Sequence, residues 1–386
     1  MLASLGQGSK KVHRLSTWFE ISRGGQGHHI RSMEGLRGLA VFLVFLVHFS
    51  SLSAPYHASS VQLSQWMGWV HTVGNAGVDL FFVLSGYLIY GAVLERQQPF
   101  LKFMARRVQR IYPAFLVVFV LYLLLSVALP AESKVPHSTG AALVYLLENV
   151  LLLPGLFPVT PMITVAWSLS YEMFYYLAIP LLVMAFAFRE RERRWRMGFF
   201  LVLVFLLAAY SAWQGGPVRL IMFISGILLY EVITGSVLRL SGTAGFVALV
   251  AGLLGMLLPV GGHVGETVKA LVLFVAFFVL CGSCFANPLS WLSLFLTWTP
   301  VRWLGNMSYS YYLLHGLTLK TAFHMLTFVI PGDGHGPWLT LGLLPLMFLI
   351  TLVPAALLFI LVERPYSLVK SPLSGSGSPQ PAPRRG

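Results

Sequence analysis

Long apolar runs separated by short polar segments dominate the chain. A helix that crosses a bilayer needs about 20 mostly apolar residues. Runs approaching that length predict ten membrane-spanning helices, at about 34–53, 74–94, 111–130, 163–188, 197–213, 218–234, 243–260, 267–285, 303–330 and 338–362. The apolar stretch at 141–154 is shorter and ends in a proline cluster, so we predict that it is interfacial or re-entrant. The predicted fold class is all-α, a polytopic bundle of transmembrane helices.

The composition excludes a water-soluble globular protein. Of the 386 residues, 57% are apolar and only 10% are Asp, Glu, Lys or Arg, whereas a soluble domain is about 45–50% apolar and about 25% charged. So few charges could not cover the surface of a soluble fold of this size. The two cysteines, Cys281 and Cys284, lie in one apolar run and indicate neither a disulfide framework nor a metal site.

The distribution of positive charge predicts the orientation of the bundle. There are 26 Lys and Arg residues against 13 acids, a formal net charge of +13. The cations form short patches between apolar runs, which is the bias of cytoplasmic loops and not the pattern of a nucleic-acid-binding surface. Ten spans with a cytoplasmic N-terminus place the patches at 10–31, 96–110, 189–196 and 364–385 on one side, and an eleventh would separate them. We therefore predict cytoplasmic termini and a multi-pass protein of the plasma or bacterial inner membrane.

Polar composition distinguishes the two ends from the rest of the chain. Residues 1–30 are rich in Gly, Ser, His and basic residues, and residues 367–386 are rich in Ser, Gly and Pro. We predict mobile cytoplasmic tails at both ends of a transmembrane domain at 31–366. The first apolar run lacks a small-residue cleavage pattern, so we expect it to insert as a signal-anchor helix without cleavage.

Ionisable side chains within the predicted spans are candidate functional residues, because a charge in hydrocarbon is costly and typically marks function. Arg37 and His48 are eleven residues apart, close to three helical turns, so they share one face about 16 Å apart along the axis. Asp79 is expected about 8 Å inside the outer boundary and needs a cation or a backbone amide as a partner. Glu172 is expected about 13 Å deep, where a glutamate must pair or become protonated.

Two further motifs carry candidate residues. Arg107 and Arg110 are adjacent on a helix start or turn, and their guanidinium groups suit the geometry of phosphate. Anchoring at the membrane interface is the structural alternative for this pair. In the ninth predicted span, His315 is expected near the middle of the membrane, and Tyr309 is either a site residue or a packing residue whose hydroxyl finds a hydrogen bond.

The ordered set of these motifs resembles the membrane-bound acyltransferase 3 family. The resemblance covers about residues 31–366 and is carried by an Arg-x10-His first helix followed by GVDLFFVLSG, RRVQRIYP, WSLSYE and SYSYYLLH. It implies a ten-helix bundle, acyl-coenzyme A as the donor and O-acylation of a sugar or another hydroxyl. The larger fused members carry an appended extracytoplasmic hydrolase-like domain, which this sequence does not show, so the acceptor is left more open.

The resemblance also assigns residues. It matches Arg37 and His48 to the essential first-helix pair of the family, and Arg107 and Arg110 to its Arg-x-x-Arg motif. Glu172 matches the acid usually found after Trp-Ser-Leu. By this resemblance the co-substrate is acyl-coenzyme A, with acetyl-coenzyme A as the main expectation, and no metal is expected.

Depth in the membrane predicts how these residues act. The arginines at the cytoplasmic mouth hold the polyphosphate head of the donor, while its thioester reaches a centre well inside the bilayer. His48 is predicted to act as the general base for the acceptor hydroxyl, with Glu172 orienting the imidazole. Asp79, Tyr309 and His315 are expected to support the site or the acceptor.

Other functions are compatible with the same composition. A transporter or exporter of an acylated or lipid-linked substrate accounts for buried charges equally well, although the asymmetric arginines and the lack of internal repeats disfavour it. A non-enzymatic membrane scaffold leaves Glu172 and His48 unexplained. Within the enzyme class, an acyl-histidine intermediate is a variant of the mechanism, and the acyl group and the acceptor are undetermined.

Overall fold

The computed structural model describes residues 18–21, 28–235, 238–332 and 337–368, and it contains helices, turns and no strand in that part. The α-helices are α1 (His28–Leu52), α2 (Val61–Gly74), α3 (Ala76–Glu95), α4 (Phe100–Ala128), α5 (Thr139–Val150), α6 (Ala166–Ala185), α7 (Arg193–Gln214), α8 (Ile221–Gly235), α9 (Gly242–Gly255), α10 (Gly262–Ala286), α11 (Trp291–Leu296), α12 (Thr299–Asn306), α13 (Ser308–Thr327) and α14 (Pro337–Leu358). A π-helical segment, Phe359–Ser367, continues α14. Short 3-10 turns lie at Ala54–Tyr56, Pro130–Glu132 and Val218–Leu220.

The all-α, multi-pass membrane architecture predicted from the sequence is confirmed. Within the described ranges, eight helical runs are long and apolar enough to cross a membrane: Arg31–Leu52, Val61–Glu95, Phe100–Ala128, Ala166–Ala185, Arg193–Gln214, Val218–Gly235, Gly262–Ala286 and Pro337–Ser367. The two other predicted spans are also helical. However, α9 has only 14 residues, about 21 Å, and α13 carries two histidines and a lysine. Ten spans and cytoplasmic termini therefore stay predictions.

The ambiguous apolar stretch at 141–154 forms most of α5, a helix of 12 residues. Its length of about 18 Å is well short of a hydrocarbon core of about 30 Å. Leu143, Val144 and Leu147 are exposed, while Tyr145 and Asn149 are buried. The helix is therefore too short to span the membrane alone and exposes an apolar side suited to lipid, and its interfacial or re-entrant placement stays a prediction.

Serine residues begin several of the helices that follow loops. The side-chain oxygens of Ser60, Ser138, Ser241 and Ser290 each accept a hydrogen bond from a backbone N–H three residues further on. Such caps satisfy one of the free donors at a helix start and define where the helix begins.

Glycines allow pairs of helices to approach each other to backbone contact. A methyl group at Gly86 on α3 would lie 2.0 Å from the carbonyl oxygen of Phe223, and one at Gly226 on α8 would lie 1.9 Å from that of Val83. Gly305 on α12 approaches α1 in the same way, with the carbonyl oxygen of Glu34 at 1.7 Å. Small residues at such crossings permit the close packing that holds helices together in a membrane.

Part of the predicted N-terminal tail packs against the bundle. The ring of Phe19 stacks on Trp303 and Phe359, with ring centroids 5.5 and 5.9 Å apart. The carboxylate of Glu20 accepts a 2.6 Å hydrogen bond from Arg302. The other residues of the predicted tails, 1–17, 22–27 and 369–386, lie outside the described residues, and α1 begins at His28.

Candidate functional site

An elongated cavity of about 650 Å³ runs along α3. Its lining begins at Val78, near the start of the helix, and continues to Glu95 at the end. These residues are 17 positions apart, so the cavity follows α3 for about 26 Å. The other walls come mainly from α1, α4, α6 and α13, with single residues from α8 and α10, and they include Arg37, Arg107, Arg110, Glu172, Tyr176, Tyr309 and Tyr312. We call this space the tunnel.

The structure brings together Arg107 and Arg110, which the sequence predicts to bind the donor, and Arg37 of the predicted first-helix pair, because all three line the tunnel. The guanidinium of Arg107 lies over the rings of Phe103 and Tyr176, 5.0 and 5.2 Å from their centroids. In the described part of the chain it has no carboxylate partner, and its buried Nε has no hydrogen-bond acceptor. Aromatic faces position this cation, so its N–H donors remain available to a ligand.

Arg110 has a different environment. It donates a 2.7 Å hydrogen bond to Glu363, whose side chain is fully buried in the π-helical segment. The other carboxylate oxygen of Glu363 accepts from the backbone N–H and the hydroxyl of Ser310, at 3.0 and 2.6 Å. The guanidinium also lies 5.6 Å from the ring centroid of Tyr309. Glu363 thus fixes one of the two arginines of the motif.

Glu363 is a site residue that the sequence analysis missed. The predicted tenth span ends at position 362, one residue before Glu363, so Glu363 is not among the ionisable residues that the sequence places within a span. The helical path continues through it to Ser367 and carries the carboxylate into the bundle. The signal for it in the sequence is an acidic residue directly after a long apolar run.

Glu172 lines the tunnel and is bound by hydroxyl groups. Its Oε1 accepts hydrogen bonds from Tyr176 at 2.5 Å and from Ser85 at 3.2 Å. No hydrogen bond joins Glu172 to His48 among the described residues. The predicted contact between these two groups is therefore not formed in this structure.

His48 instead lies beside His315, with ring centroids 4.9 Å apart and planes at 67°. Nδ1 of the fully buried His315 lies 3.0 and 2.9 Å from the carbonyl oxygens of Tyr311 and Tyr312. Because both are acceptors, this nitrogen carries the proton, and Nε2 presents a lone pair. Nε2 is buried and has no partner in the described structure. The pair of His48 and His315 therefore contains one nitrogen, Nε2 of His315, that can still accept a hydrogen bond.

Tyr312 connects the tunnel to the histidine pair. Its side chain lines the tunnel, and its ring centroid is 6.0 Å from that of His315. Its hydroxyl is 2.7 Å from Oγ of Ser168, and Phe81 packs edge-on against its ring at 6.0 Å. Neither His48 nor His315 lines the tunnel, so Tyr312 and Phe81 form the wall on that side.

The two remaining predicted residues also have defined surroundings. The buried carboxylate of Asp79 lies 3.7 Å from Nε of Arg219, the cation that its position required. The Arg219 guanidinium lies over the ring of Trp167, 5.5 Å from the centroid. Tyr309 lines the tunnel and donates a 2.8 Å hydrogen bond to the carbonyl oxygen of Ile111.

Metal-binding chemistry has no candidate among the described residues. No group of three or more His, Cys, Asp or Glu side chains there is placed to hold a metal ion. Cys281 and Cys284 are buried free thiols on α10.

Comparisons with known proteins agree with the motifs. The model of the acyltransferase 3 family, described as an acyltransferase domain, matches residues 30–360. A peptidoglycan O-acetyltransferase of Listeria monocytogenes is 25% identical over 74% of this chain and 49% of its own length. A putative membrane-bound transacylase of Komagataeibacter xylinus is 28% identical over 86% of this chain and 82% of its own length.

Other matches are shorter or absent. The acyltransferase MdmB of Streptomyces mycarofaciens is 30% identical over 39% of the chain and 38% of its own length. The chain spans about half the length of the Listeria relative, and no solved structure gives a significant match. Because the family model covers most of the chain, this protein belongs to the membrane-bound acyltransferase 3 family.

Proposed function

We propose that the protein is an integral membrane O-acyltransferase that uses acyl-coenzyme A as the donor and a hydroxyl of an extracytoplasmic carbohydrate, or of another glycan or secondary metabolite, as the acceptor. The observation that carries the proposal is the tunnel, which has arginines at one end and follows α3 for most of its length. Acetyl is the expected acyl group, since the Listeria relative is named as an O-acetyltransferase.

The donor binds with its phosphates at the arginine end. Arg107 supplies the free N–H donors, and Arg110, positioned by Glu363, adds a second positive charge. Guanidinium groups bind phosphate through paired hydrogen bonds. Arg37 lines the same space. The long, thin pantetheine arm then extends along the tunnel past Glu172 and Tyr176, which we assign to the path of the donor.

The chemistry takes place at the histidine pair. His48 accepts the proton of the acceptor hydroxyl while the oxygen attacks the thioester carbon. The carbon–sulfur bond breaks, and the proton passes from the imidazole to the departing thiolate, so that the products are an ester and coenzyme A. The neutral Nε2 of His315, beside His48, is an acceptor that can orient a His48 N–H.

This route requires a movement of Tyr312. Tyr312 and Phe81 form one side wall of the tunnel, and the histidine pair lies behind them. Rotation of the Tyr312 side chain, with loss of its hydrogen bond to Ser168, joins the two spaces. The barrier keeps the thioester from the base until the acceptor is present, which limits wasteful hydrolysis.

The test is acyl transfer by the purified protein in lipid nanodiscs. Acetyl-coenzyme A labelled in the acetyl group is supplied with a panel of oligosaccharides, and ester formation and coenzyme A release are measured. We expect wild-type protein to form labelled ester, and His48→Ala to lose at least about 100-fold in rate while keeping its thermal stability. Turnover at the wild-type rate by a folded His48→Ala protein would refute the role of the base. In sealed proteoliposomes, movement of a substrate across the bilayer without ester formation would support a transporter instead.

A further inference from the structure

The ion pair of Asp79 and Arg219 lies beside the end of the tunnel opposite Arg107 and Arg110, and neither residue of the pair lines the tunnel itself. Asp79 lies on the first turn of α3, 16 residues and about 24 Å along the axis from Glu95. Val78 and Ser168, which precede and follow Asp79 and Trp167 in sequence, line the tunnel there, and Phe82, another lining residue, packs edge-on against the ring of Trp167 with centroids 6.3 Å apart. This ion pair is therefore placed where an acceptor could meet the acyl end of the donor.

Both charged groups have unused capacity for hydrogen bonds. The Asp79 side chain is 3% exposed, yet its Oδ1 receives no hydrogen bond in the described structure. The contact with Nε of Arg219, at 3.7 Å, is beyond hydrogen-bond range. The Arg219 side chain is 27% exposed, and among the described residues no protein acceptor takes a hydrogen bond from its guanidinium. A buried carboxylate oxygen without a donor is costly, so a bound group that fills this gap is favoured.

A hydroxyl is the group that completes the pair. Its hydrogen donates to Oδ1 of Asp79, and its oxygen accepts from an N–H of Arg219. A fully ionised phosphate ester has no hydrogen for the carboxylate, and an ammonium has no lone pair for the guanidinium. The pair carries no net charge, so it selects neither an anion nor a cation.

Aromatic rings border the pair. The indole of Trp167 packs against the Arg219 guanidinium on one face and meets the ring of Tyr171 edge-on, with centroids 5.6 Å apart. Rings combined with donors and acceptors for hydroxyl groups suit a ligand that has apolar C–H faces between several hydroxyls.

We propose that Asp79, Arg219 and Trp167 form a binding subsite for a neutral, polyhydroxylated acceptor, that is, an uncharged carbohydrate. This inference rests on the proposed function and names the substrate class of the acceptor side. The subsite connects with the catalytic region, because Ser168 bonds to Tyr312, whose ring contacts His315. Asp79 and Arg219 bind and orient the acceptor, and they take no part in proton transfer.

The experiment measures binding of tritiated chitotriose, cellotriose and maltotriose to the protein in nanodiscs, together with acetyl transfer to the same sugars. The variants are Asp79→Asn and Arg219→Gln. The matched control is Lys269→Gln, which removes the basic partner of an ion pair with the exposed Glu266, a pair that does not line the tunnel. The slow hydrolysis of acetyl-coenzyme A by water, without sugar, reports on the donor side.

We expect Asp79→Asn and Arg219→Gln each to weaken binding of the preferred trisaccharide, and to raise its KM, by about tenfold or more. The KM for acetyl-coenzyme A and the rate of hydrolysis stay at the wild-type values, and Lys269→Gln behaves as wild type throughout. Arg219 is partly exposed, so its variant keeps the test informative if Asp79→Asn does not fold.

The contrary outcomes separate the two proposals. Wild-type affinity for the trisaccharide in folded Arg219→Gln protein, or equal losses for sugar and donor, would overturn the subsite while leaving the acyltransferase function standing. The absence of binding of any of the three sugars by wild-type protein at millimolar concentration would also overturn it. Binding that depends on Asp79 and Arg219, without any acetyl transfer, would preserve the subsite and overturn the proposed function.

Discussion

Arg107 and Arg110 belong to one motif, yet their surroundings predict opposite consequences of removing them. Arg110 is bound to Glu363, which is fully buried. Substitution of Arg110 by alanine leaves that carboxylate without its cation. Breaking a buried pair from one side typically costs about 3–5 kcal/mol. Here Glu363 keeps two hydrogen bonds from Ser310, and the Arg110 side chain is 21% exposed, so we expect a smaller loss of about 2–3 kcal/mol.

Arg107 has no such partner. Its guanidinium lies over two aromatic rings, and loss of these contacts from a partly exposed site costs about 0.5–1 kcal/mol. Its free donors are available for the donor phosphates, and a hydrogen bond to a charged group contributes about 1.5–3 kcal/mol. We therefore expect Arg107→Ala to weaken binding of acetyl-coenzyme A by about 10- to 100-fold with little change in stability.

The assay takes advantage of the two buried thiols. A maleimide dye that fluoresces on reaction reports unfolding, because Cys281 and Cys284 are fully buried in the folded protein. Because the entropy of unfolding scales at about 2.1 cal/mol/K per residue, 1 kcal/mol shifts the Tm of a 386-residue chain by roughly 1 °C. Arg110→Ala should therefore lower Tm by roughly 2–4 °C, and Arg107→Ala by about 1 °C or less. In the double variant Arg110→Ala with Glu363→Gln, the buried charge is gone, so part of the stability should return.

Two results would refute this reasoning. One is an equal drop in Tm for Arg107→Ala and Arg110→Ala, which would mean that both arginines serve mainly as structural anchors. The other is a double variant whose loss of stability exceeds the sum of the losses in the two single variants, which would mean that Glu363 stabilises the fold independently of Arg110. Calorimetric titration with acetyl-coenzyme A measures the affinity for the donor. Wild-type affinity in Arg107→Ala would exclude a contact between Arg107 and the donor phosphates.

Three further outcomes follow from the contacts. His315→Ala removes the unpartnered Nε2 acceptor beside the His48 ring. It should reduce kcat about tenfold or more with acetyl-coenzyme A affinity unchanged, and an unchanged kcat would show that His48 acts without His315. Tyr312→Phe removes the hydrogen bond to Ser168 and should raise the rate of acetyl-coenzyme A hydrolysis without an acceptor, measured as released thiol. A rate equal to that of wild type would show that Tyr312 is no barrier. Gly226→Ala places a methyl group 1.9 Å from a backbone oxygen of α3, so it should destabilise the fold by about 1–3 kcal/mol or more and lower Tm. Gly198→Ala is the control, because a methyl group there has nothing within 4 Å and should not lower Tm. Equal Tm values in the two variants would contradict the packing argument.

The architecture followed from the sequence because the physics that decides it is local. Apolar runs of sufficient length must form helices in lipid, since backbone groups find no other hydrogen-bond partners there. The same reasoning picked out charged residues too costly to leave in hydrocarbon. Arg37, Arg107, Arg110 and Glu172 do line one tunnel, and Asp79 does have a cation beside it.

Neighbours across helices were decided only by the tertiary structure. Position along a helix gives the depth of a residue and its face, but the helix that packs on that face depends on close contacts such as those of Gly86 and Gly226. His48 and Glu172 have compatible depths, yet the packing gives His48 the ring of His315 and gives Glu172 two hydroxyl donors. For the same reason the roles of Glu363 and Arg219 depend on partners more than 100 residues away, which no local pattern specifies.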